Sequence, residues 1–203
     1  MKIALGFAIL IIFLFSTVLP AQEKISPEKQ KEMIDQSMAL ATPGPEHQIL
    51  EKMSGDWNLE IKFWTEPGGD AVLSNGTCQI KPILGGRFYE SKSESGVGLS
   101  AMETLNIMGF DRRYKKYTYI GFDNFGTYFV TAEGTYDEIE NRFKLQGTDY
   151  DPILNNTQVY DMITTFIDDN KFVWELYYTN PELTKGADKF KMIEVTYTRQ
   201  TKE

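Results

Sequence analysis

The sequence predicts an all-β protein: a single closed, antiparallel, up-and-down barrel of about ten strands, preceded by short N-terminal helices. Three observations predict it. From Trp57 to Arg199 apolar residues recur with a period of two in short runs, the repeat of a half-buried strand. Gly, Pro, Asn and Asp separate those runs at hairpin spacing, where each relieves a specific backbone constraint. The first run opens on Gly55-Asp56-Trp57 and the last ends on Arg199, so an indole and a guanidinium sit at the two strands that must meet for the sheet to close. Closure removes the exposed sheet edges that would otherwise pair with other chains.

The 203 residues suit one domain plus a targeting segment. Met1-Lys2, an apolar run from Ile3 to Leu19, and Pro20-Ala21-Gln22 read as a secretory signal over residues 1–21, cut after Ala21. Leu19 is larger than the residue such a cut prefers, and the run falls just short of the roughly 20 residues of a membrane span. An uncleaved anchor is the alternative to a cleaved signal; with cleavage, no stable membrane anchor is expected. No cysteine follows the apolar run, which excludes a bacterial lipoprotein. The expected location is therefore outside the cytoplasm, periplasmic or extracellular. The only cysteine, Cys78, leaves no partner for an intramolecular disulfide.

Residues 22–41 read as a helical or mobile leader. Ser26-Pro27-Glu28 supplies an N-cap and a first-turn proline, predicting a helix from Pro27 to Leu40. Pro43-Gly44-Pro45 breaks it, and Glu46 to Met53 predicts a second helix, placed to plug the open end of the barrel with His47 near its mouth. The barrel domain spans 42–203. Strand one alternates Trp57, Leu59, Ile61 and Phe63 with polar neighbours. Strand two runs from Val72 to Leu84, followed by a tight Gly85-Gly86 turn. Strand three covers Arg87 to Lys92, four Ala101 to Phe110, and five Lys116 to Phe122. After a turn at Asp123-Asn124, strand six runs from Gly126 to Gly134. Strands seven to ten cover Arg142 to Asp149, Thr157 to Ile167, Phe172 to Thr179 and Lys189 to Arg199. A barrel of about ten strands is wider than its own side chains fill, so an interior cavity is expected.

A net charge of −8 and a pI near 4.8 exclude the basic footprint that nucleic acid needs, and disfavour docking on anionic lipid. His47 is the only histidine, so no His-rich metal site can form. It reads as a helix-start hydrogen-bond partner rather than a base. Cys78 has no second His to activate it and reads as a buried thiol. The acidic pairs Asp149/Asp151 and Asp168/Asp169 lack the spacing of a calcium loop and read as turns. No metal, cofactor or catalytic residue is assigned.

Several spaced motifs resemble one family. They are Thr42-Pro43-Gly44-Pro45-Glu46-His47, Gly55-x-Trp57, Leu84-Gly85-Gly86-Arg87-Phe88, Gly109-Phe110-Asp111, Lys116-Tyr117, Asp123-Asn124-x-Gly126, Glu133-Gly134-Thr135-Tyr136-Asp137 and Met192 to Arg199. Together they are similar to the bacterial proteins catalogued as domain of unknown function 1579. The resemblance covers Thr42 to Arg199 and implies a calycin-like barrel, related in fold to lipocalins and fatty-acid-binding proteins, with no established activity. In such barrels a Gly-x-Trp and a C-terminal arginine close the floor, which makes Gly55, Trp57 and Arg199 a structural latch. The leading expectation is a binding protein for a small, largely apolar ligand inside the barrel. Arg87, Glu103 and Tyr119 are its expected polar contacts and Trp174 an apolar wall. Two alternatives stand beside it: an isomerase or hydrolase with Glu103 as a buried base, and an envelope interaction module using Trp64 and Tyr128 as an outer patch.

Overall fold

The alternation that begins at Trp57 becomes, in the computed structural model, one closed barrel whose first strand is hydrogen-bonded to both the second and the last. The structure describes residues 25–96 and 101–201; the signal segment expected over 1–21 lies outside them. The chain divides into two units, residues 1–37 and 38–203. Helix α1 (Pro27–Ala41) starts in the first of them, where the backbone N–H of Lys29 donates to the Ser26 hydroxyl, the N-cap bond its sequence calls for.

The second unit continues with α2 (Pro45–Glu51) and ten strands with one further helical turn. These are β1 (Gly55–Phe63), β2 (Val72–Ile83), β3 (Phe88–Ser95), β4 (Met102–Asp111), β5 (Lys116–Asp123), β6 (Val130–Asp137), β7 (Arg142–Asp151), β8 (Asn156–Asp168), β9 (Lys171–Tyr178) and β10 (Phe190–Arg199); α3 (Pro181–Thr184) lies between β9 and β10. Each strand pairs antiparallel with its sequence neighbour, and β1 closes on β10 with Trp57 opposite Arg199 and Phe63 opposite Ile193. All-β, single-barrel architecture with short preceding helices is what the sequence predicts.

One strand boundary and one register differ from the sequence reading for identifiable reasons. Strand six begins at Val130 rather than Gly126. The Asp123 carboxylate accepts from the N–H groups of Phe125 and Gly126, so an Asx-turn holds the backbone away from the ladder. In β10 the register slips between Lys191 and Ile193, a bulge that the alternation from Ile193 onward does not reveal. The α3 turn was not expected; Asn180 precedes it, and the Asn180 amide donates to the Thr157 carbonyl, tying it to β8.

At the end where β1 begins, aromatic side chains from six strands fill the interior. Phe172 stacks on Tyr197 at 4.2 Å and meets Trp57 edge-on at 4.7 Å. Phe143 sits between Tyr117 at 4.7 Å and Tyr136 at 5.0 Å. Each such pair adds about 0.5–1.5 kcal/mol beyond the area it buries. Helix α2 lies across this end, held by three side chains of the barrel. The Trp57 indole donates to the Met53 carbonyl at 2.8 Å, the Tyr117 hydroxyl to the Glu46 carbonyl at 3.0 Å, and the Tyr89 hydroxyl to the Glu51 carboxylate at 2.7 Å. This end is the floor and the opposite end is the mouth, so α2 and His47 sit at the latched end and not at the open end expected from the sequence, because α2 runs directly into β1 at Gly55.

Candidate functional site

The floor explains the opening motif. Gly55 has a φ of +137°, a region that side chains avoid, and a Cβ there would come within 2.3 Å of Arg199 Nη1. The Arg199 guanidinium lies 4.2 Å from the centre of the Trp57 ring. It donates to the carbonyls of Ser54 at 2.7 Å, Asp169 at 3.1 Å and Lys52 at 3.3 Å. One planar cation thus joins β10, the β8–β9 turn and the end of α2, using the fork that lysine lacks. The geometry is that of a latch and leaves no space for a ligand.

His47 belongs to the same end. Its Nδ1 accepts the Gly44 N–H at 3.1 Å, its ring meets Phe110 edge-on, and it is buried. Burial, with Arg112 and Arg87 nearby, holds its pKa below the usual histidine value, so the ring is neutral and acts as a cap acceptor. Cys78 is buried beside the Ser91 hydroxyl at 3.2 Å, and burial pushes its thiol up to about 11. It is a thiol at physiological pH and not a nucleophile.

Above the floor the interior changes character. The inward positions of β3, β4 and β5 carry Ser91, Ser93, Thr104, Asn106 and Tyr119 in place of large apolar groups. They form a chain: Ser93 and Thr104 hydroxyls lie 2.6 Å apart, the Asn106 amide donates to Thr104 at 3.4 Å, and the Tyr119 hydroxyl donates to Asn106 Oδ1 at 2.7 Å. Burial raises the Tyr119 and Tyr197 hydroxyls well above the ordinary tyrosine value, so both remain neutral donors. Across the interior, Ile61, Ile193 and Trp174 face this polar chain. They and Tyr119, Tyr197 and Met108 are only partly buried, whereas Trp57, Leu59, Phe143 and Phe172 nearer the floor are sealed. The upper interior is thus less completely packed than the floor.

Two of the four expected contacts lie elsewhere. Arg87 is exposed in the β2–β3 turn, donating to the carbonyls of Ala41 at 3.1 Å and Leu84 at 3.2 Å. Glu103 is exposed on the outer face of β4, directly opposite Glu94. Because Phe110 points inward against Tyr117, the alternation of β4 sends Thr104, Asn106 and Met108 in and Glu103 out. Arg87 is at the floor and Glu103 at the mouth, about seven strand residues or roughly 23 Å apart, so they cannot form a pair. With Glu103 outside, the buried base that the enzyme alternative requires is not in place. Tyr119 and Trp174 do face the interior. Trp64 lies beside Lys191, 5.9 Å from its ring, and Tyr128 is exposed in the β5–β6 loop. Around the ten-strand order these two positions fall on opposite sides of the barrel, so they form no single outer patch.

The site residues that sequence reasoning missed are Ser93, Thr104, Asn106, Asp149, Gln158 and Tyr178. Asp149 and Gln158 are cross-strand partners on the inward faces of β7 and β8. Tyr178 and Tyr160 pair beside them with ring centres 6.3 Å apart. Burial, then the Asp149 carboxylate, pushes the Tyr160 hydroxyl up to about 12. On the outside, a groove of about 540 Å³ crosses β3 to β7 between Phe88, Ile107, Ile120 and Gln146. It is open to solvent, and Glu133 is the one carboxylate among the residues that line it.

Comparison with known proteins agrees with this architecture. The family described as "Protein of unknown function (DUF1579)" matches residues 42–199. No curated protein matches the chain. Among solved structures, the chain is similar to the S-type phycobiliprotein lyase CPES from Guillardia theta, with a TM-score of 0.55 at 10% identity, covering 79% of this chain and 100% of that one. It is also similar to Rv2717c from M. tuberculosis, with a TM-score of 0.54 at 12% identity, covering 79% of this chain and 100% of that one. At these identities the likeness concerns the fold alone.

Proposed function

We propose that this protein, which belongs to the family of unknown function DUF1579, is an exported barrel that binds a small, largely apolar molecule in the upper half of its interior. One observation supports the reading: inward-facing Trp174, Ile61 and Met108 stay only partly buried although strands surround them on every side. The floor beneath them is packed with aromatic rings and plugged by α2, so the open space has one entrance, at the mouth. Apolar walls with a few fixed polar groups are the usual composition of a small-molecule site. Here the Tyr119–Asn106–Thr104–Ser93 chain supplies those polar groups.

Native mass spectrometry of the chain beginning at Gln22, incubated with aliphatic alcohols of eight to fourteen carbons, tests the reading. A single bound alcohol is the expected result, lost when Ser93→Phe fills the interior. A bare mass throughout the series overturns it. Export rests on Met1-Lys2, the apolar run to Leu19 and Ala21. Expression of the full chain, followed by fractionation and N-terminal sequencing of the recovered protein, is expected to give an extracytoplasmic product starting at Gln22. An intact, membrane-bound chain would favour the anchored alternative.

A further inference from the structure

The upper interior is not electrically neutral. Above Arg199 at the floor, none of the inward strand positions among the described residues carries a lysine or arginine. Lys62 and Lys191, the basic residues nearest the mouth on β1 and β10, point outward and are paired with Glu194. A carboxylate does face in. Asp149 lies on the inward face of β7, and one of its oxygens accepts only the N–H of the next residue, Tyr150. Asp123 and Asp151, its acidic neighbours at the rim, are each occupied by two backbone N–H groups of their own turns.

The second observation is independent of charge. Gln158, directly across the ladder from Asp149, is only 4% exposed. Its Nε2 donates to Asn156 Oδ1 at 2.6 Å, but its Oε1 is buried without a hydrogen-bond partner among the described residues. Native proteins rarely leave a buried acceptor unmade, because its lost hydration is not returned. The backbone that carries Gln158 is pinned on both sides. The Asn180 amide brackets this part of β8, donating to the Thr157 carbonyl and accepting from the Val159 N–H. Directly opposed side chains on one face of a ladder have their Cβ atoms about 5 Å apart, so one group can reach both acceptors.

We infer that the ligand's polar end is a hydrogen-bond donor, an ammonium or other cationic N–H group, held between the Asp149 carboxylate and the Gln158 carbonyl with its apolar body against Trp174. The inference rests on the proposed carrier reading and narrows it to a chemical class. A fatty acid is the wrong occupant: its carboxylate would face Asp149 with no cation to receive it. Tyr119 and Asn106, which occupy one another, are left to contact the middle of the chain rather than its head.

The test compares three probes sharing one dodecyl chain: dodecylammonium, dodecanol and dodecanoate, each below its micelle concentration, by titration calorimetry at neutral pH. Dodecylammonium is expected to bind at least about tenfold more tightly than dodecanoate, with dodecanol between them, since charge-assisted hydrogen bonds command about ten- to hundredfold in affinity. Asp149→Asn, nearly isosteric, is expected to bring the ammonium to the affinity of the alcohol. Glu103→Gln removes the same charge from the outer face and is expected to leave the preference in place, which separates the site from the acidity of the whole surface. Gln158→Leu is expected to weaken the ammonium and spare folding, because it removes the unpaired acceptor. Equal or tighter binding of dodecanoate, or an ammonium preference that survives Asp149→Asn, overturns this inference and leaves the carrier reading standing. Failure of all three probes overturns both.

Discussion

Replacing Arg199 by Met should separate the latch from mere packing, because methionine retains most of the aliphatic bulk and none of the donors. The loss can be worked from contacts. The bond to the Ser54 carbonyl, at 2.7 Å and partly buried, is the strongest of three; those to Asp169 and Lys52 are exposed. A bond from a charged donor contributes about 1.5 kcal/mol or more when shielded and less when wet, and an accessible cation–π contact about 0.5–1 kcal/mol. Allowing for water at the exposed carbonyls, R199M should destabilise the barrel by about 3 kcal/mol, which lowers Tm by about 6–12 °C for a domain of this size. Urea unfolding followed by intrinsic tryptophan fluorescence reads this directly, with the midpoint falling and the slope unchanged. R199K should recover less than half of the loss, because an ammonium cannot stack on the indole and reach three carbonyls together. An R199M midpoint within about 0.5 kcal/mol of the parent, or full recovery by lysine, would refute the latch.

The sole histidine makes a clean reporter: the His47 ring proton should titrate by NMR with a midpoint below 6.5, because burial and two arginines disfavour its charged form. A folded-state pKa below the unfolded value contributes stability present above 6.5 and lost as pH falls through the folded value, so H47Q should flatten the acid limb of stability. A midpoint above 6.5 would contradict the neutral cap. Cys78 behaves in the opposite sense. Its thiol is pushed from 9.0 to about 11, so its contribution is whole below pH 9 and lost as pH rises towards 11. Urea midpoints should therefore fall over that interval, less so in C78A, and native protein should resist thiol reagents at pH 8 that label it at once in urea. Rapid labelling of the native form would place the thiol at the surface. The Glu94 and Glu103 carboxylates face each other outside the barrel, so E103A should leave stability unchanged or raise it by a few tenths of a kcal/mol; a loss above about 1 kcal/mol would mean that Glu103 is buried.

The barrel was legible because closure makes every strand repeat one pattern, and ten short runs of that pattern leave few other arrangements. The floor was legible for a related reason: Trp57 and Arg199 stand at the two strands that meet, so their chemistry could be paired without coordinates. The interior was harder, since strand phase decides everything and a single ambiguous residue reverses it. Arg87 follows Gly85-Gly86, before the β3 alternation has begun, and its side chain is spent on the turn. Glu103 follows a loop, so its phase could be fixed only by counting back from Phe110. That signal existed, since Phe110 and Tyr117 are opposed aromatics across a turn. Counting back also yields Met108, Asn106 and Thr104, the polar chain that was missed. Asp149 and Gln158 were hidden differently. Each follows from alternation in its own strand, but their apposition depends on the β7–β8 register, which the Asp151-to-Asn156 turn sets. An Asp near a turn reads as a turn residue, and only the ladder shows that Asp149 is spare.

The open upper interior is the claim on which the functional account depends, and contact quenching of Trp174 tests it most directly. Of the three tryptophans, Trp57 is sealed in the floor and Trp64 belongs to the outer side beside Lys191. An undecanol carrying a terminal bromine quenches only an indole that it touches. Saturable quenching at one molecule per barrel, abolished in W174F and unchanged in W64F, is the result predicted here. Quenching that never saturates, or that persists in W174F, would contradict an interior site.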